Sequence, residues 1–161
     1  WKELANSRNV AALEQFRRDF PASPHARTAA ERIAQLETER LRATEAANAR
    51  QTNQLVDAAV ERYRVAFEHR SIEELRRVWP GLGRQEQTAF ENFFRNARAV
   101  SMTLRPQGDP EITGDAATVR AIRTMQMTSE RGREPAQENP VVIRLRRSGQ
   151  EMQIESVTLA K

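Results

Sequence analysis

Apolar residues follow two different periods in the two halves of the chain. Up to about residue 97 they recur at intervals of three and four, the spacing of a buried helix face, and from Val100 onwards they alternate with polar residues as in a half-buried strand. Glycine and proline follow the same division, because neither occurs between Pro24 and Pro80 and both are frequent from Pro80 to Pro140. The pattern therefore predicts helices first and strands afterwards, which is an α+β fold.

Residues 1–40 are expected to form a helical hairpin. Asn9 is placed to cap a first helix, and Ser23 with Pro24 is placed to begin a second one. Residues 41–52 are polar and lack a sustained heptad pattern, which favours a solvated helical linker over a coiled coil. Residues 53–161 would then form a separate α+β domain.

The hairpin segment has a loose motif of apolar and small residues: Trp1, Ser7, Leu13, Phe16, Phe20, Pro21, Ser23, His25, Ala26, Ala30, Ile33 and Leu36. This motif resembles a short hairpin, similar to a tetratricopeptide unit, that follows caspase-like or protein-kinase domains in bacterial multidomain proteins. The resemblance implies a spacer or interaction role. Because the chain begins at Trp1 rather than Met, we expect it to be part of a longer protein, and a catalytic domain upstream stays open.

The helices of residues 53–161 have recognisable ends. An apolar stripe that starts at Leu55 predicts a helix to about His69. Ser71 and Glu74 have the spacing of a capping box, in which Ser71 caps the next helix and Glu74 reaches back. A third helix is predicted from the apolar set Phe90, Phe93, Phe94 and Ala97.

The strands are predicted from alternation. Apolar residues expected to face inward are Val100, Met102, Leu104, Val119, Ala121, Val141, Ile143, Leu145, Met152 and Ile154. Residues 129–140 are expected to be a loop. Val157 has the opposite parity to Ile154, which predicts a β-bulge near Glu155 and Ser156.

Five segments then carry a second resemblance: Leu55–His69, His69–Leu75, Trp79–Leu82, Phe90–Phe94 and Met152–Val157. In their order and pattern they are similar to the nuclear transport factor 2-like (NTF2-like) superfamily, the cone-shaped α+β fold of SnoaL-like polyketide cyclases and ketosteroid isomerase. The resemblance implies three helices packed on a curved, mostly antiparallel four-stranded sheet. Domains of this kind occur at the C-terminal ends of bacterial signalling proteins.

The cone that this resemblance implies has seven candidate pocket-lining residues: Val56, Val60, Tyr63, Phe67, Phe90, Phe94 and Met102. Tyr63 lies one helical turn from Val60 and Phe67, so its hydroxyl is expected to be the polar group of the pocket. Enzymes of this superfamily need an acid or base in the cone, and the inward strand residues include no titrating side chain. No second titrating group is expected within reach of Tyr63.

We therefore expect a non-catalytic interaction or sensory module at the C-terminal end of a larger bacterial signalling or protease protein. This segment is not expected to be an enzyme. The alternative is a small-molecule-binding cyclase or isomerase of the SnoaL-like type that uses the cone. Its partner would be a protein or an upstream domain of the same chain, and a small apolar ligand remains open.

The net charge of +4 says little by itself, since Lys and Arg total 26 against 22 Asp and Glu. Arg120, Arg144 and Arg146 are candidates for a partner surface on the outer sheet face, where an acidic protein could bind. The alternative is a solvated face that Glu151 and Glu155 partly neutralise. All nine aromatic residues precede residue 95, so the sheet has none to stack on bases, which argues against nucleic acid.

Cysteine is absent, which excludes disulfides, thiolate metal sites and cysteine nucleophiles. His69 and Glu73 are separated by the helix start at Ser71, so we expect no metal site, and the sequence predicts no cofactor. No apolar run is long enough to cross a bilayer. The compartment stays open, with the cytoplasm slightly favoured.

Overall fold

A computed structural model describes all residues from Trp1 to Lys161, and they divide into two compact units. Unit 1 comprises Trp1–Gln51 and unit 2 comprises Thr52–Lys161. Helix α1 (Val10–Asp19) lies in unit 1, and helix α2 (His25–Glu68) contributes residues to both units.

Unit 1 forms the expected pair of helices, with the expected caps. The Asn9 side chain accepts a hydrogen bond from the Ala12 amide over 3.2 Å at the start of α1. The Ser23 hydroxyl accepts one from the His25 amide, also over 3.2 Å, at the start of α2. The buried residues of this unit are Leu13, Ala29, Ile33 and Leu36.

Residues 37–51 of α2 are helical and exposed on every side. The stretch is rich in Ala, Glu and Arg, which have high intrinsic helix propensity, so it stays helical without a buried face. The helix is therefore uninterrupted through a stretch whose sequence has no apolar period.

Helix α2 ends in a Schellman-type motif, and α3 (Ile72–Val78) begins directly after it. The Ser71 amide donates to the carbonyl of Ala66 over 3.0 Å, and Arg70 takes the left-handed conformation (φ 55°) that glycine usually supplies. The Ser71 hydroxyl accepts from the Glu74 amide over 3.2 Å, which confirms the predicted cap.

The reciprocal half of the capping box was predicted wrongly. The Glu74 carboxylate does not return to the Ser71 amide and instead has its Oε2 2.9 Å from Nδ1 of His69. The physical reason is that the Ser71 amide is already used by the end of α2, which leaves the carboxylate free for the imidazole.

Six antiparallel strands follow helix α4 (Arg84–Asn96). They are β1 (Ala99–Pro106), β2 (Glu111–Thr113), β3 (Ala116–Ser129), β4 (Gly132–Arg133), β5 (Gln137–Ser148) and β6 (Glu151–Leu159). The sheet order is β1-β3-β5-β6, and the short β2 and β4 pair with β3. Four main strands were expected, while β2 and β4 were not.

Of two further predictions about the strands, one is wrong and one is confirmed. The predicted loop at residues 129–140 is wrong at its end, because β5 starts at Gln137, where its polar residues pair with the long β3 (Gln137 opposite Met125). The predicted bulge is confirmed: Leu145 pairs with Ile154 and Arg144 with Ser156, so Glu155 is the extra residue.

The core of unit 2 lies between the helices and the inner face of the sheet. Of the ten strand residues expected to face inward, nine are buried and Leu104 is partly buried. From α2 the core receives Val56, Ala59, Tyr63, Ala66 and Phe67. Burial of these apolar faces against each other is the main force that holds helices and sheet together.

Candidate ligand pocket

A cavity of about 320 Å³ opens beside this core, entirely within unit 2. Residues of α2, the α3–α4 connection, α4, β3 and β6 line it, among them Tyr63, Trp79, Phe90, Arg123 and Val157. We call it the Tyr63–Arg123 pocket. Its volume lies at the lower end of the range for small-molecule sites.

The Tyr63 hydroxyl and the Arg123 guanidinium form the polar contact in this pocket. Nη1 of Arg123 donates to the hydroxyl oxygen of Tyr63 over 3.4 Å. Tyr63 is only 1% exposed, and its ring packs on Phe67 with a centroid distance of 5.0 Å. Burial raises the pKa of the Tyr63 phenol above its ordinary value, and the nearby Arg123 opposes part of this rise. The phenol is therefore neutral at neutral pH and keeps its proton as a donor.

Arg123 was missed by the sequence analysis. On β3 it has the same parity as Val119, Ala121 and Met125, so the strand places it on the inner face. The alternation itself contained this signal, but only apolar residues had been assigned inward positions. Its Nε is buried and has no hydrogen-bond partner. The sequence predicted no second titrating group within reach of Tyr63. In the structure, the side chain that lies beside its hydroxyl is that of Arg123.

Trp79 contributes a second buried donor. It ends α3, where its backbone amide donates to the carbonyl of Leu75 over 2.8 Å. Its side chain is 7% exposed, and the indole Nε1 has no partner. A buried N–H without an acceptor is costly, and this one belongs to a residue that lines the pocket.

Two acidic residues, Glu86 and Glu155, also line the pocket. The Glu86 carboxylate folds over Gly83 at the N-terminus of α4 and occupies the space that a Cβ at position 83 would need. Negative charge is favourable at that helix end. The Glu155 carboxylate accepts from Nε of Arg146 over 2.6 Å.

Comparison with solved structures decides the fold of unit 2. Bd1075 of Bdellovibrio bacteriovorus matches with a TM-score of 0.56 at 17% identity, over 66% of this chain and 40% of that one. A protein from Streptomyces avermitilis, described as a dehydratase of the NTF2-like family, matches with a TM-score of 0.53 at 18% identity, over 66% and 92%. Unit 2 has the NTF2-like fold.

A third match broadens the range of roles on this fold. A protein from Thiobacillus denitrificans, described as a calcium/calmodulin-dependent protein kinase type II association domain, has a TM-score of 0.51 at 16% identity, over 64% of this chain and 91% of that one. No family model and no curated protein matches the sequence. The NTF2-like fold is therefore shown, and the role is argued from the site.

The seven predicted pocket-lining residues are divided between the pocket and the NTF2-like core. Tyr63 and Phe90 line the Tyr63–Arg123 pocket. Phe94 lines a separate cavity beside His69. The other four lie in or against the core: Val56, Val60, Phe67 and Met102.

The three arginines of the predicted partner surface are exposed on the outer side of the sheet. Arg120 lies 3.6 Å from the Glu111 carboxylate. Arg146 is paired with Glu155, which raises the pKa of its guanidinium. Arg144 lies opposite Thr118 and Ser156 in the strand register. Of the expected neutralising carboxylates, Glu151 instead pairs with Arg62 over 2.9 Å.

A larger groove of about 420 Å³ in the NTF2-like unit is lined by Arg62, Glu74, Arg77 and Glu151, among others. Within this groove, the charges of Arg62 and Glu151 are paired with each other. The groove therefore offers a ligand fewer unpaired charged groups than the Tyr63–Arg123 pocket does. No group of three or more histidine and carboxylate side chains in the structure is arranged so that it could hold a metal ion. None of its helices combines the length and the apolar character that crossing a membrane requires.

Proposed function

We propose that the NTF2-like unit is a non-catalytic module that binds a small molecule in the Tyr63–Arg123 pocket. The observation that carries this proposal is the set of unsatisfied buried donors, Nε of Arg123 and Nε1 of Trp79, beside a cavity of about 320 Å³. Proteins rarely leave buried donors without partners, and a ligand would supply the missing acceptors.

The same groups are poor catalysts. Burial raises the pKa of Tyr63, so the phenol does not act as a base at neutral pH. The guanidinium of Arg123 has five N–H donors and no acceptor, so it does not serve as a base. Together they bind and orient a ligand, which supports a sensory or interaction role over a reaction.

The length of a similar protein supports this proposal. The chain spans 40% of the length of Bd1075, so in that protein the shared fold is one part of a longer chain. We propose that this unit likewise serves a larger bacterial signalling or protease protein, with its ligand or partner reporting to an upstream domain. One similar structure is described as an association domain, which agrees with an interaction role.

A second candidate function is a dehydratase, isomerase or cyclase reaction in the same pocket. The residues Glu86 and Glu155 line that pocket, and carboxylates serve as general bases in such reactions. One similar structure is described as a dehydratase. Glu155 is engaged by Arg146, which leaves Glu86 as the better candidate base.

A ligand-observed NMR screen of the full chain against a fragment library distinguishes these functions. We expect fragments that bind wild-type protein and lose affinity in Tyr63→Phe and Arg123→Gln, but not in the matched surface variant Arg144→Gln. Each bound molecule is then incubated with the protein and analysed by mass spectrometry. Unchanged ligand supports the module. Conversion that Glu86→Gln abolishes establishes the enzyme instead, and the absence of any binder contradicts both.

A further inference from the structure

We propose that the Tyr63–Arg123 pocket selects a small aromatic or aliphatic monocarboxylate, an inference that rests on the proposed function and names its ligand class. The pocket combines an unneutralised cation, further hydrogen-bond donors and apolar walls. Each of these features restricts the chemistry of the occupant.

Three side chains of the pocket lining, those of Arg123, Tyr63 and Trp79, have N–H or O–H groups without an acceptor. Arg123 uses Nη1 on the Tyr63 oxygen, and its Nε has no partner. The Tyr63 oxygen accepts this bond, while none of the hydrogen bonds in the structure uses the phenol proton. Nε1 of Trp79 is likewise unused. An occupant that satisfies them must be an acceptor, and a carboxylate, with two oxygens and no proton, fits this set best.

The charge of Arg123 favours an anion over a neutral acceptor. Its hydrogen-bonding partner is a neutral phenol, so no carboxylate of this chain compensates the guanidinium. The fork of Nε and Nη atoms matches the two oxygens of a carboxylate, and such charge-assisted bonds are stronger than neutral ones. A partly buried cation without a counter-ion is costly, and a bound anion removes that cost.

The rest of the lining limits the charge and the shape of the ligand. Phe90, Val157 and the ring of Trp79 supply apolar surface for a ring or a short chain. Glu86 adds negative charge at the same cavity and opposes a second anionic group. The Glu155 carboxylate is paired with Arg146, and the Glu86 carboxylate lies over Gly83 at the N-terminus of α4. Neither carboxylate forms an ion pair with Arg123. A single carboxylate on an apolar body meets both conditions.

Isothermal titration calorimetry on the full chain tests the assignment with two matched pairs of probes. Phenylacetate is compared with phenylacetamide, and 2-naphthoate with 2-naphthamide, so that each pair differs in charge and hardly in shape. We expect the acids to bind wild-type protein about tenfold more tightly than the amides, the ratio that a charge-assisted hydrogen bond supports. In Arg123→Gln the ratio should fall to about one, while amide affinity stays similar.

Two controls keep the result interpretable. Arg144→Gln removes the same charge from an exposed position and should retain the preference for the acids. Arg123→Lys keeps the charge without the planar guanidinium and should retain part of the preference for the acids. Far-UV circular dichroism checks that each variant is folded. Equal affinity for acid and amide, loss of preference in Arg144→Gln, or failure of all four probes would overturn the ligand class. The proposed function falls separately, if the fragment screen finds no binder.

Discussion

Nη1 of Arg123 on β3 lies 3.4 Å from the hydroxyl oxygen of Tyr63 on α2, although the two residues are sixty positions apart in the chain. The contact joins the longest helix to the central strand of the NTF2-like sheet. Because the phenol serves as acceptor here, its own proton and the remaining guanidinium protons are available to a ligand. The proposed ligand site depends on this pair.

Tyr63 should titrate above its ordinary pKa of 10.0 in the folded protein. It is the only tyrosine of the chain, so the near-ultraviolet absorbance of tyrosinate reports this residue alone. Burial disfavours the phenolate in the native state, and we expect a midpoint above that of the urea-unfolded chain. In Arg123→Gln the midpoint should rise further, because Arg123 lowers the pKa. A native midpoint at or below the unfolded one would refute the buried phenol.

The same shift sets the alkaline stability of the protein. Above pH 10 the unfolded chain releases the phenol proton while the folded chain retains it, so the unfolded state binds fewer protons. The free energy of unfolding should therefore fall as the pH rises from the unfolded pKa towards the folded one, and this loss is absent below that window. Tyr63→Phe should show a smaller decrease over the same range in urea titrations.

Ser71→Ala should lower the free energy of unfolding of the full chain by about 1 kcal/mol, because the Glu74 amide loses its cap. Urea denaturation monitored by circular dichroism measures this change. Ser101→Ala, a matched substitution at an exposed strand position, should change stability by less than about 0.5 kcal/mol. Equal effects of the two substitutions would show that the cap contributes nothing.

Deletion of Glu155 should leave the protein folded. Glu155 is the extra residue of the bulge, so its removal gives a regular strand in which Ile154 and Val157 still face inward. Deletion of Gln153 is the matched control: it brings Met152 and Ile154 next to each other, and one of two buried side chains must then face solvent. Thermal unfolding should show a cooperative transition for the first variant and a much lower or absent one for the second. The reverse order would disprove the bulge.

Limited proteolysis should cleave first between Glu39 and Asn53. Residues 37–51 are exposed all round, and α2 has no core contacts there to resist local opening. Trypsin finds Arg40, Arg42 and Arg50 in this stretch. A purified fragment of residues 53–161 should retain a cooperative unfolding transition. If that fragment is unfolded, residues 1–52 belong to its core and the predicted domain division fails.

The sequence predicts much of the fold because local rules and tertiary burial agree in most elements. The Ser71 cap and the inward faces of β1, β3, β5 and β6 follow from spacing alone. The bulge at Glu155 also follows, since two apolar residues of opposite parity can share a face only across an extra residue. The start of β5 does not follow, because Gln137 and its neighbours are polar and become strand only by pairing with β3.

The pocket is less accessible to sequence reasoning. Tyr63 was predicted from helical periodicity, and it lines the cavity. Arg123 was missed because an arginine inside a cone is normally excluded by its charge, so the pattern was interpreted as if only apolar residues could face inward. Trp79 is an apolar residue by composition, and only its position in the fold leaves its indole N–H without a partner. Such unsatisfied groups depend on neighbours that are distant in sequence.

The most direct test of the central claim is a ¹H–¹⁵N correlation spectrum of the two tryptophan indoles during titration with 2-naphthoate or with a binder from the fragment screen. Trp79 lines the pocket, whereas Trp1 lies in unit 1 and serves as the internal control. A Trp1→Phe sample assigns the two indole signals. We predict a saturable shift of the Trp79 indole proton with the Trp1 signal unchanged, and its loss in Arg123→Gln. Saturable binding that leaves the Trp79 signal in place would contradict a ligand site in the Tyr63–Arg123 pocket.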